Sequence, residues 1–293
     1  MIVTVTLNPS LHVRYDAERV DLGASNQVSR VQHQAGGRGL AVARLLRIFG
    51  HEVVAAGLAG GSTGELIRTE LARAGVATQF TRISAESRRV LQVTDMHGVQ
   101  TAFDEPAPYI TTEELGRLAA DYRALLDSAT AVVLCGSLPA GLPPETYGSL
   151  TSYAVEAGVP VILDAGGTPL RYAVTRGPAL VIPDLAAGEP LPELAGAGSV
   201  VLPADGGVRV LSGEGEWLAG AGACQAGSGS QAAAGFRDAL VAGFVPGIAL
   251  GWSWPDMLRH AVALAVAVSA DGRPDLGAYE TLLPQVTVTG PRA

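Results

Sequence analysis

The chain has 293 residues, 48% of them hydrophobic and 16% charged. This is enough apolar material for a sizeable core and excludes a disordered chain. A net charge of −8 argues against non-specific nucleic-acid binding, yet a locally positive pocket could still take an anionic small molecule.

The two cysteines, Cys135 and Cys224, stand outside any C-x-x-C or Cys/His cluster, so no zinc or other metal site is suggested. The opening Met1–Leu7 lacks the basic start of a signal peptide, and no uninterrupted apolar stretch of about 18 residues reads as a membrane span. The expectation is a cytoplasmic protein with no membrane partner.

Taken in order, residues 2–7 read as a buried strand broken by Asn8-Pro9. Residues 10–33 are polar and mixed, with strand positions at Val13, Tyr15 and Val28. Gly36-Gly37-Arg38-Gly39 precedes a helix over 40–49, then come a strand over 53–58, a helix over 64–74 and a strand over 76–80. Residues 88–103 alternate around Met96-His97-Gly98 and read as a hairpin. Thr111 or Thr112 can cap a helix running to Ser128, with Glu113 and Glu114 in its first turn.

A strand over 131–134 ends at Gly136-Ser137-Leu138-Pro139. A helix over 144–157, a strand over 159–163 ending at Asp164, a short helix over 170–175, and strands over 179–182 and 199–202 follow. The Gly-, Ala- and Ser-rich stretch 219–234 reads as a flexible loop. Two long helices, over about 236–250 and 254–270, close the pattern.

Strands that alternate with helices predict an α/β sandwich with a mainly parallel sheet covered on both faces. Asn8, Gly36, Gly136, Asp164 and Asp184 fall at or just after strand ends, where such sheets collect ligands. Segments 10–32 and 87–105 break the alternation and are expected to form a small β-lid on a core of 1–9, 33–86 and 106–293. Near the C-terminus, Gly235-Phe236-Arg237-Asp238 leads into an apolar helix. A helix start offers unpaired N–H groups to a phosphate, and Asp238 could act there as general base.

In these motifs the chain resembles the PfkB (ribokinase-like) carbohydrate kinases, and most of all their 1-phosphofructokinase and tagatose-6-phosphate kinase branch. Thr6-Leu7-Asn8-Pro9 resembles the branch's TLNP, and Gly36 to Arg44 its GGKGxNVAR. Gly136 to Gly141 resembles GSLPxG, Gly177 to Asp184 resembles GPDLIKPN, and Leu283 to Val288 its usual ending. Their shared order implies a ribokinase-like three-layer α/β/α sandwich. Gly235 to Asp238 resembles the GAGD signature with the acid kept, a better match than Gly227-Ser228-Gly229-Ser230.

The resemblance implies an ATP- and Mg2+-dependent phosphotransferase that acts on an alcohol group of a sugar phosphate or related small molecule. Asp238 would be the base, and Gly235, Phe236 and Arg237 the anion hole. His12, Gly37, Arg38, Arg88 and Ser137 would hold substrate, and Asp184, Ala204 and Gly207 would lie on the nucleotide side. Family members often dimerise through the lid.

The departures from the pattern are equally specific. The sugar-binding aspartate is His12, the GGKGxN lysine is Arg38 and its asparagine is Ala41. The TRxNxK strand keeps Arg88 but has Val90 and Gln92, and KPNxxE reads Ile182-Pro183-Asp184-Leu185-Ala186-Ala187, with Glu189 out of register. Ala41 and Val90 cannot hydrogen-bond a sugar through their side chains, so altered specificity is implied.

His12 could donate to substrate or titrate near neutrality. Arg237 could clamp a phosphate, block the cradle or point to solvent. Asp164 reads best as a turn residue at a strand end. The alternative to a kinase is a catalytically silent pseudokinase that binds a metabolite or protein partner.

Overall fold

The computed structural model describes residues 1–185, 193–204, 206–221, 230–269 and 272–292. The chain opens with β1 (Ile2–Thr6), β2 (Ser10–Ala17), β3 (Val28–Gly36), α1 (Arg38–Ile48), β4 (Val53–Gly60), α2 (Gly61–Arg73) and β5 (Ala77–Ile83). Next come β6 (Arg88–Thr94), β7 (Gln100–Asp104), α3 (Thr112–Leu126), β8 (Ala131–Cys135), α4 (Thr146–Glu156), β9 (Val161–Asp164), α5 (Gly167–Val174) and β10 (Leu180–Val181). The remainder is β11 (Ser199–Ala204), β12 (Gly207–Ser212), β13 (Gly215–Gly220), α6 (Ser230–Leu250), α7 (Trp254–Ala267), α8 (Leu276–Leu282) and β14 (Thr287–Arg292).

The main sheet runs β14-β13-β12-β11-β10-β9-β8-β1-β4-β5. From β11 to β5 every neighbouring pair is parallel. Central strands such as IVTVT and AVVLC are buried along their whole length, because helices cover both faces and leave no side to face water. On one face Leu40 and Leu45 of α1, Phe244 of α6 and Leu258 of α7 pack with Ile2 and Val133. On the other, Tyr122 of α3, Tyr147 of α4 and Leu170 of α5 pack with Val3, Val5 and Leu134. This is the three-layer arrangement expected from the alternation of elements.

A second sheet, β3-β2-β6-β7, joins the first hairpin to residues 88–104. β2 pairs antiparallel with β3 and parallel with β6, with Ser10 opposite Gly36 and beside Arg88. β3 reaches Gly36, so it delivers the chain directly into α1.

α3 shows how local chemistry fixes an element end. Thr111 Oγ1 accepts from Glu114 N–H, and the Glu114 carboxylate accepts from the N–H of Thr111 (2.9 Å) and of Ser84 (2.7 Å). This reciprocal capping box decides between the two candidate threonines in favour of Thr111.

Three sequence expectations are corrected. Past β11 the sheet turns antiparallel through β12, β13 and β14, where no strands were predicted. The short helix α8 was also not foreseen. α6 begins at Ser230 rather than near 236, because Gln231 and three successive alanines, Ala232 to Ala234, are good helix formers that outweigh Gly235. Gly235 is placed where a Cβ would press on the Ser269 carbonyl at 3.3 Å, so its bareness serves helix packing. Ala186, Ala187, Glu189 and half of the loop 219–234, with Gly227 to Gly229, lie outside the described residues.

Candidate active site

The carboxyl ends of β1, β8, β9 and β10 open into a cavity of about 730 Å³. Thr6, Asn8, Gly37, Arg38, Arg88 and Ser137 are among its lining residues. Gly37 adopts φ +124, and a Cβ there would meet Thr6 Cγ2 at 2.9 Å, so the turn into α1 needs glycine on both counts. Asn8 Nδ2 donates to Ser137 Oγ (3.2 Å). Its own Oδ1, with Thr6 Oγ1 and Arg88 Nε, is buried and has no hydrogen-bond partner among the described residues. Such groups on a cavity wall suit a polar ligand or water.

A second cavity of about 440 Å³ adjoins the first. Its walls are mostly apolar, with Val201, Leu202, Val208 and Phe236, and it includes Ala204, Gly207 and Arg237. Gly207 is fixed by β12–β13 packing, since a Cβ would fall 2.0 Å from the Ala219 carbonyl oxygen. Arg38 and Asp184 line both cavities and form the wall between them.

A charge network runs along that wall. Asp164, at the end of β9, is fully buried. Its Oδ1 accepts from Arg38 Nη1 (3.1 Å) and from Arg237 Nε (2.8 Å) and Nη2 (2.5 Å). Arg38 Nη2 donates to Asp184 Oδ2 (2.6 Å), and Arg237 Nη2 also reaches the Ile182 carbonyl (2.7 Å). Asp164 is therefore the hub of the site, a role its reading as a turn residue missed. The available signal was an acid ending a four-residue strand whose other residues are all apolar. Arg237 does not point to solvent: its fork is engaged by Asp164 and Ile182.

Asp238 follows Arg237 on α6 and lines neither cavity. Its Oδ1 is sealed from solvent with no partner among the described residues. Burial raises its pKa to about 7, the nearby Asp164 charge adds to the rise, and Arg38, Arg44 and Arg237 oppose it. The acid thus sits where a small change of surroundings decides its protonation at neutral pH.

The anion hole expected from Gly235, Phe236 and Arg237 is not open in this arrangement. With α6 starting at Ser230, these residues lie past its first turn, where N–H groups bond to carbonyls four residues back. The unpaired donors belong instead to residues 230–233.

His12 also departs from expectation. It lies on β2 opposite Gln34, its Nε2 2.3 Å from where a Cβ on Gly36 would sit, and it lines neither cavity. Burial, followed by the charges of Arg14, Arg88 and Arg44, lowers its pKa to about 4. The ring is neutral at pH 7 and does not titrate there. Arg88 does face the larger cavity, 3.7 Å from Asp104.

The smaller cavity fits a nucleotide in kind, with apolar walls for a base and Arg38 and Arg237 at its inner end for phosphates. The donor set fits magnesium poorly. Among the described residues no cluster of three His, Cys, Asp or Glu side chains could hold a metal ion. Asp164 commits one oxygen to two arginines while its Oδ2 stays buried and unpartnered among the described residues, and Asp184, half-exposed, is paired with Arg38. No helix among the described residues is long and apolar enough to cross a membrane.

A profile of the pfkB family carbohydrate kinases matches residues 10–186, and the chain belongs to this family. The fold superimposes on a protein described as a possible 1-phosphofructokinase from Thermotoga maritima, with a TM-score of 0.81 at 25% identity over 98% of each chain. The tetrameric inhibited form of phosphofructokinase-2 from Escherichia coli also gives 0.81 at 25% identity, over 96% of this chain and 98% of that one. The same Escherichia coli enzyme in complex with fructose-6-phosphate gives 0.82 at 24% identity over 97% and 98%. The sandwich is thus the ribokinase-like fold of these kinases.

Proposed function

We propose that the chain is an ATP-dependent phosphotransferase that acts on an alcohol group of a phosphorylated small molecule. The observation that supports this most is the pair of adjoining cavities, of about 730 and 440 Å³, that share Arg38 and Asp184 with Asp238 next to their common charge network. Acceptor binding belongs to the larger cavity, where Arg88 and Arg38 offer charge to a phosphate already on the substrate. Nucleotide binding belongs to the smaller one. Asp238, ionised above about pH 7, takes the proton of the acceptor hydroxyl. That oxygen forms the new bond to the terminal phosphorus as the bond to the nucleotide's bridging oxygen breaks. Ala41 and Val90 place no hydrogen-bonding side chain where the family binds its sugar, so the acceptor is less sugar-like than fructose phosphates.

In this reading the first turn of α6 opens when substrates bind, freeing the N–H groups of Gly235 to Arg237. A second reading, a silent binding homologue, draws on the same feature: the helix start at Ser230 and the Arg237–Asp164 pairing close the cradle. Calorimetry of ATP–Mg, with and without fructose 1-phosphate and related sugar phosphates, separates the two. Micromolar nucleotide binding followed by acceptor-dependent ADP release supports the kinase. No binding at millimolar ATP overturns it in favour of the silent homologue.

A further inference from the structure

A third cavity, of about 390 Å³, shares no lining residue with the other two among the described residues. Four arginines line it: Arg14 from β2, Arg44 from α1, Arg73 from the last turn of α2, and Arg273 between α7 and α8. Among the described residues one carboxylate lines it, Glu70, whose Oε1 lies 2.5 Å from Arg73 Nη1. Among the described residues, Arg14 and Arg44 thus stand on this wall with no carboxylate paired to them, on a protein whose net charge is −8. Like charges gathered in this way repel unless an anion sits among them.

Two details mark donors on this wall that an anion could satisfy. Arg14 Nε is buried with no hydrogen-bond partner among the described residues. Arg44 gives one N–H to the Ala35 carbonyl (2.6 Å), which carries no formal charge. Burial lowers the Arg44 pKa to about 10; Asp238 acts against that, the Arg14 charge adds to it, and Glu70 opposes it weakly.

We propose that this cavity binds a small phosphate-bearing anion through Arg14, Arg44 and Arg73. Guanidinium forks match phosphate oxygens in pairs, and the volume falls in the range of small-molecule sites. The site does not depend on the transferase reading. It would nevertheless reach the active site, because Arg44 also helps to hold the negative charge of Asp238. An anion that neutralises Arg44 favours protonated Asp238.

The test is calorimetry on the full chain with inorganic phosphate and, in parallel, glycerol 3-phosphate; the tighter probe shows whether the site prefers free phosphate or a monoester. Wild-type protein should show two classes of site. Arg14→Gln should weaken one of them by about tenfold or more and leave the other, while Arg88→Gln does the reverse. If Arg14→Gln fails to give a cooperative thermal melt, Arg73→Gln, on an exposed side chain, replaces it. Tungstate soaked into crystals should give an anomalous peak between Arg14 and Arg44. Wild-type binding in the arginine variants, or a single class of site lost with Arg88→Gln, overturns the proposal.

Discussion

Arg237 holds Asp164 through two nitrogens on one oxygen, Nε at 2.8 Å and Nη2 at 2.5 Å, across 73 positions of sequence. The arginine is thereby built into the floor of the cleft. Asp164 is fully buried, whereas the Arg237 side chain is 22% exposed. Removing the arginine strands the acid with Arg38 as its remaining ionic partner.

Arg237→Met should therefore cost about 3 kcal/mol of stability, read from urea unfolding. Arg237→Gly should lose about 1 kcal/mol more through helix propensity. If the side chain obstructs the phosphate end of the smaller cavity, the glycine variant should bind nucleotide more tightly by calorimetry. Weaker binding would instead mark Arg237 as a phosphate ligand.

Asp238→Asn should abolish phosphoryl transfer, measured as ADP release, with the fold intact by circular dichroism. Unchanged turnover would remove Asp238 as the base. In wild type the rate should rise with pH through about 7 as the carboxyl ionises.

The same group gives stability a pH dependence whose sign is fixed. Its folded pKa, about 7, lies above the usual 3.8, so the folded state holds the proton more tightly. Stability from that proton is complete below about pH 4 and is lost as pH rises toward 7. Asp238→Asn lacks this loss. Its stability relative to wild type should increase across that window by up to about 4 kcal/mol, followed by denaturation at a series of pH values. A constant difference would mean that the carboxyl is not buried as described.

Arg88→Ala should raise KM for a phosphorylated acceptor by about 10- to 100-fold and change kcat less, because the residue lines the larger cavity and not the smaller. An equal loss in kcat and kcat/KM would point to a role in the transition state.

Glu86 caps α2, accepting from the N–H groups of Ser62 and Thr63 and from the Ser62 hydroxyl. These bonds, those with Thr63 first, lower its pKa to about 2. A depressed carboxyl stabilises the fold above its unfolded value near 4.5, and the gain fades as pH falls toward 2. Glu86→Ala should cost about 1 kcal/mol at pH 7 and almost nothing at pH 2, as measured by thermal melts.

The alternation of apolar runs with helical patterns predicted β1, β4, β8 and α3 to within a few residues. These strands have both faces covered, so apolar residues dominate them, with Thr4 and Thr6 the polar exceptions in β1, and α3 carries its own cap in Thr111 and Glu114. The β12–β14 extension was not legible because its signal is pairing between distant segments: Thr287 meets Gly220, and nothing local to either announces it. The start of α6 was misplaced because Gly235 looks like punctuation, whereas its lack of a side chain serves the approach to Ser269. At the site, the motifs placed Gly37, Arg38, Arg88 and Ser137 on one wall. The pairing of Arg237 with Asp164 was hidden, since a strand-end acid and a helix arginine become partners only once β9 and α6 are folded together.

Arg38 belongs to both chambers and can satisfy only a limited set of oxygens at once. Asp164 and Asp184 already claim its two terminal nitrogens. A ligand that draws this guanidinium toward one chamber withdraws positive charge from the other. Coupling between two binding events is reciprocal, so each ligand weakens the other by the same factor. Each ligand then raises the concentration of the other needed to fill its chamber, without excluding it.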